Sequence, residues 1–157
     1  MSCFDWVFGK ANAFPFSGEG ALTMNATVPT ITALYAALLG LLGAALTINV
    51  IVNRVRAKVE IADGGVAALA QAIRAHANFA EQAPLALILI GLAEMLGTRP
   101  WIVQVFGVVL VLARLASAVG LNRTLKNSPP RQLGASGTIL VLIVASLAIL
   151  LALAGIR

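Results

Sequence analysis

Four long apolar runs, separated by short polar connections, set the plan of this chain. The first runs from about Pro29 to Asn53, inside a stretch with no charge between Glu19 and Arg54. Pro29 suits a first helical turn, where its missing N–H costs little. The second starts between Val66 and Gln71 and ends at Leu96-Gly97. The third runs from about Trp101 to Leu121, opened by Pro100, and the fourth from about Gln132 to Ile156. A membrane-crossing helix needs about 20 mostly apolar residues, so each run predicts one spanning helix. The connections carry turn signals: Asp63-Gly64-Gly65, Thr98-Arg99-Pro100, and a loop from Asn122 to Leu133 stiffened by Pro129-Pro130.

The second run breaks its own apolar pattern. With Arg74 at 0° on a helix of about 3.6 residues per turn, Asn78 falls near 40°, Glu81 near −20° and Gln71 near 60°, all roughly. These polar groups form one narrow stripe. Ionisable groups inside a membrane are costly and usually face a bundle interior or a polar cavity. A cation, an amide and a carboxylate in one stripe suit a small zwitterionic ligand, and they equally suit pairing with neighbouring helices. His76 lies near 200°, roughly opposite the stripe. Glu94, at the far end of the same run, reads as snorkelling or as a partner for Arg99. Arg114 is set among Val108 to Ala113 in the third run. An arginine at that depth calls for a carboxylate, and Glu81 sits at comparable depth.

Composition places the chain among membrane proteins. Of its 157 residues 60% are hydrophobic and 11% charged, against about 45–50% and about 25% in soluble domains. The mean hydropathy is +0.96. The expected fold is all-α: one integral-membrane four-helix bundle over residues 28–157, preceded by an arm of residues 1–27. Three readings of the arm stand: its aromatics lie at the membrane interface, it is disordered, or the natural start is Met24. No cleaved signal peptide is expected. The net charge of +5 does not point to nucleic acid, because the basic residues flank apolar runs, where they orient the chain and meet anionic lipid. Arg54, Arg56, Lys58, Arg123, Lys126 and Arg131 fall on one side, and Lys10, Arg99 and Arg157 on the other. The basic loops are then cytoplasmic and both termini outside. Cys3 and His76, the lone cysteine and histidine, give no support for a zinc or haem site.

This topology lets Arg54, Arg74, Asn78, Glu81, Arg114 and Arg131 converge on the cytoplasmic half of a bundle. So many cations can hold an anionic ligand through paired hydrogen bonds. They can also favour the thiolate of a bound thiol, which is its nucleophilic form. The blander reading is that Glu81 merely neutralises Arg74 or Arg114 to permit insertion.

The run Arg74-Ala75-His76, Asn78, Glu81 and Pro84 resembles the MAPEG family, membrane-associated proteins in eicosanoid and glutathione metabolism, in a bacterial form. Arg54-Val55-Arg56, Arg114, Gly120 and Arg131 follow in the family's order, and the resemblance covers about residues 28–157. It implies a homotrimer of four-helix subunits in the bacterial inner membrane, with glutathione as co-substrate bound between subunits. It implies that Arg54, Arg74, Asn78 and Glu81 hold the tripeptide, with Arg114 and Ser117 contributing from the third helix. Arg131 is the implied catalytic residue, stabilising the glutathione thiolate. The implied reaction is attack of that thiolate on a lipophilic electrophile, or reduction of a peroxide. The alternative is a non-catalytic membrane protein that uses the same stripe for a lipid or another anionic small molecule. The sequence departs from the family where tyrosine is common after the glutamate, here Gln82. It departs again three and seven residues after the arginine of the third helix, where it has Ser117 and Leu121.

Overall fold

A computed structural model describes residues 28–124 and 128–155. The arm of residues 1–27, Lys126 and Arg157 lie outside the described residues. Among the described residues four helices follow in order: α1 (Thr30–Ala57), α2 (Ala67–Met95), α3 (Pro100–Arg123) and α4 (Pro129–Leu153). No strand occurs among the described residues. The helices form an antiparallel bundle in which α2 and α3 each touch all three others, while α1 and α4 flank them without meeting.

The distribution of side chains is that of a lipid-facing protein. The outward faces carry large apolar residues such as Leu41, Ile48, Ile88, Leu112 and Ile139. The interior uses small ones, including Ala72, Ala75, Ala83, Ala86, Ala113 and Ala145. Lipid tails are as apolar as leucine, so nothing drives large side chains inward, and small residues let helix backbones approach closely. The α3–α4 crossing shows this best. A Cβ on Gly134 would lie 2.5 Å from the Ala113 carbonyl oxygen, and one on Gly120 would lie 2.8 Å from the Arg131 backbone nitrogen. A larger core cluster of Leu39, Ile90, Val103, Phe106, Leu110 and Val141 fills the other half of the bundle. There the Tyr35 ring lies flat on Gly107, and its hydroxyl donates to the Gln104 side-chain oxygen. Tyr35 is thus a packing residue.

Helices α1, α3 and α4 are long and apolar enough to cross a membrane. Helix α2 is more polar, but it runs the full length of α1 in the opposite direction. Its start follows the end of α1, and its Glu94 reaches back to the start of α1, accepting hydrogen bonds from the backbone N–H groups of Ile31 at 2.9 Å and Thr32 at 2.8 Å. It therefore crosses the same layer. This contact takes the place of the expected snorkelling or pairing of Glu94 with Arg99. The first N–H groups of a helix lack intrahelical partners and carry partial positive charge, and no side chain of Pro29 can cap them. The Glu94 carboxylate fills that role, and the Thr32 hydroxyl adds a third bond at 2.6 Å.

One predicted boundary moves. Pro129 and Pro130 were expected in a loop, yet they form the first turn of α4, where a missing N–H costs no hydrogen bond. Asn122 likewise belongs to α3 rather than to the loop.

Candidate functional site

The stripe on α2 divides between two environments. Arg74 and Glu81, seven residues apart, point away from the bundle. They pair with each other at 3.3 Å, their side chains 48% and 53% exposed. Asn78, between them, is half-buried and turns inward to Arg114. The helix is 29 residues long, or roughly 44 Å at 1.5 Å per residue, which exceeds a hydrocarbon layer of about 30 Å. If the apolar end at Met95 marks one face of that layer, the other face falls near His76. Arg74 then sits at the headgroup level, and Glu81 lies within roughly 8 Å of it. Pro84 follows and removes one backbone hydrogen bond from the helix just past the stripe.

Arg114 is 1% exposed and has no carboxylate partner among the described residues. The expectation that Glu81 neutralises it fails, because Glu81 turns outward and pairs with Arg74. Its guanidinium is held instead by neutral oxygens from three helices. Nη1 donates to the Asn78 carbonyl at 3.3 Å and to its side-chain oxygen at 3.2 Å. Nη2 donates to Ser117 Oγ at 3.3 Å, to the Gly134 carbonyl at 3.0 Å and to Thr138 Oγ1. A planar fork of N–H donors can serve several fixed acceptors at once, which a single ammonium cannot. Glycine at 134 makes this possible, since it brings α4 close enough for its carbonyl to be reached. Arg114 is thereby a brace tying α2, α3 and α4, and Ser117, 4% exposed, belongs to the same network.

Arg54, near the end of α1, organises the loop that follows. Its Nη1 donates to the carbonyls of Val59, Glu60 and Ala62 at 3.3, 2.8 and 3.2 Å. Lys58 and Ala62 hold positive φ values of 53° and 58°, a conformation unfavourable for residues with a Cβ, so the arginine fixes a turn that the backbone would not choose. Ala62 and Asp63 of this loop share a recess of about 450 Å³ with Arg74. Arg54 therefore reaches the stripe through the loop it holds. Arg131, in the first turn of α4, lies with its backbone against Gly120 of α3 at the same end of the bundle.

The six residues expected to converge thus form separate groups at one end. Arg74 and Glu81 face outward beside the Arg54 loop, Asn78 and Arg114 with Ser117 face inward, and Arg131 sits at the α3–α4 crossing. Leu121 is 1% exposed and packs with Leu46, Ala75 and Ala118. The residues that sequence reasoning passed over are Thr138, the partner of Arg114, and the side-chain amides of Asn49, Asn53 and Asn122. All three asparagines stand in or beside apolar runs, which was the available signal.

An all-α bundle with lipid-facing leucines and a polar stripe at one end defines a polytopic integral membrane protein. The sequence profile of the MAPEG family matches residues 32–151, and the chain belongs to that family. Among curated proteins it is similar to the inner membrane protein YecN of Escherichia coli K12, with 37% identity over 95 residues, 60% of this chain and 72% of that protein. YecN of Escherichia coli O6:H1 matches to the same extent.

Proposed function

We propose that this chain is a glutathione-dependent enzyme of the inner membrane, a transferase or peroxidase acting on a lipophilic electrophile, with glutathione held between subunits of a homotrimer. The observation that carries this reading is the outward-facing Arg74–Glu81 pair. Glu81, half exposed and roughly 8 Å inside the headgroup level, is costly against lipid even when paired with Arg74, and a neighbouring subunit with a polar ligand would cover it. The chemistry of these polar groups fits the tripeptide. Arg74 suits a carboxylate, Glu81 suits an amino group, and Asn78 suits a peptide amide. Arg114 and Ser117 act from behind by fixing Asn78, and Arg54 acts by shaping the loop beside Arg74.

In the transferase reaction the thiolate sulfur forms a bond to the electrophilic carbon as the leaving group departs with its electron pair. Arg131 is the cation assigned to the thiolate. In the peroxidase reaction two thiols reduce one hydroperoxide to an alcohol and water and are oxidised to a disulfide. The second reading, a non-catalytic protein that binds a lipid or another anion, draws on Leu121, which puts a buried alkyl group where the family commonly has a hydroxyl.

Calorimetry on the detergent-purified protein, beside Glu81→Gln, tests the proposal, with oligomer mass measured in parallel. Saturable glutathione binding that weakens at least about ten-fold in the variant is expected, since a charge-assisted hydrogen bond contributes about 1.5–3 kcal/mol. A well-folded oligomer that binds no glutathione refutes the enzyme reading.

A further inference from the structure

A second groove, of about 640 Å³, opens between α1 and α3 at the basic end, with the start of α2 as its floor. It uses none of the residues assigned to glutathione. Its mouth is polar: Asn49 and Asn53 from α1, Gln71 from α2, Asn122 and Arg123 from α3. The asparagines are linked across the gap. The Asn49 side-chain amide donates to Asn122 Oδ1 at 3.0 Å, and that of Asn53 donates to the Asn49 carbonyl at 2.8 Å and to Asn49 Oδ1 at 3.0 Å. The Asn122 amide N–H groups and the Arg123 guanidinium have no partner among the described residues. Arg123 is the one charged residue among the described residues lining the groove, so the mouth is positive with no carboxylate to offset it.

Away from the mouth the wall turns apolar, through Leu46 and Leu42 on α1 and Val119 and Leu115 on α3. Leu42 and Asn53 are eleven residues apart, roughly 16 Å along the helix axis. A cationic, amide-rich mouth at the headgroup level and an apolar trough running into the bilayer match an anion bearing an alkyl chain. We propose that this groove binds an anionic phospholipid, its phosphate against Arg123 and the Asn122 amide and one acyl chain along the trough. The inference is independent of the glutathione reading, and charge complementarity with an anionic leaflet selects the occupant.

The test uses the full chain in phosphatidylcholine vesicles doped with phosphatidylglycerol that carries a photoreactive diazirine on its acyl chain. Adducts mapped by mass spectrometry are expected on the α1 segment from Leu42 to Asn53 and the α3 segment from Leu115 to Arg123. Arg123→Gln is expected to reduce them about five-fold, as befits loss of one cation at an anionic headgroup. Asn122→Asp, an exposed position, should reduce them at least as far, and Val119→Trp should fill the trough and abolish them. Equal labelling by a phosphatidylcholine probe, or adducts spread over the outward faces, overturns the proposal. So does displacement by free fatty acid but not by phosphatidylglycerol, or cross-linking of the groove to a second copy in place of lipid.

Discussion

Replacing Gly134 with alanine tests the α3–α4 crossing and the Arg114 brace together. The added Cβ would lie 2.1 Å from Ser117 Oγ, 2.5 Å from the Ala113 carbonyl oxygen and 2.7 Å from the Ser117 backbone nitrogen. The hydroxyl can rotate away, but the other two atoms belong to the α3 backbone. Restoring normal contact distances of about 3.5 Å requires the helices to part by about 1 Å. That shift lengthens the 3.0 Å bond from Arg114 to the Gly134 carbonyl to about 4 Å, beyond hydrogen-bond range. Overpacking costs about 1–3 kcal/mol, and a hydrogen bond to a charged group contributes about 1.5–3 kcal/mol. The expected destabilisation is therefore about 2.5–6 kcal/mol, read by unfolding in mixed micelles of increasing dodecyl sulfate fraction with helicity as the signal. Gly40→Ala is the control. Nothing lies within 4 Å of its added Cβ, and alanine's higher helix propensity should leave stability unchanged or raise it by up to about 1 kcal/mol. A Gly134→Ala protein within about 0.5 kcal/mol of the parent would refute the close crossing.

Two further substitutions probe the other polar contacts. Arg114→Lys keeps the charge but cannot reach Asn78, Gly134 and Thr138 together, so a loss of about 2–4 kcal/mol is expected in the same titration; parental stability would mean the fork geometry does not matter. Glu94→Ala removes the acceptor at the start of α1 and should cost about 1–2 kcal/mol. Amide exchange at Ile31 and Thr32 should then quicken about ten-fold, at 1.4 kcal/mol per factor of ten, while unchanged exchange would show that the cap contributes nothing.

The polar stripe was legible because Arg74, Asn78 and Glu81 recur at helical spacing in an apolar run, and spacing on one helix is a local property. Where each side chain goes was not legible. Glu81 and Arg114 are at similar depth, which made them natural partners on paper. Glu81 faces outward and Arg114 inward, and the terminal nitrogens of Arg114 are held by oxygens that no charge count reveals. Glu94 gave the same lesson, since the cap it supplies lies 62 residues away along the chain.

The sequence by itself determined the membrane setting, the all-α class, the approximate ends of the helices and the basic end of the bundle. Those follow from the apolar length needed to cross a bilayer and from charges that cannot enter it, and both are read along one dimension. The tertiary structure alone decided that α2 and α3 are central and that Arg114 braces three helices through Gly134 and Thr138. It also decided that Asn49, Asn53 and Asn122 meet across a groove. Those depend on which faces of the helices meet, and close approach at glycines selects the faces in a lipid solvent that offers no hydrophobic force to do so.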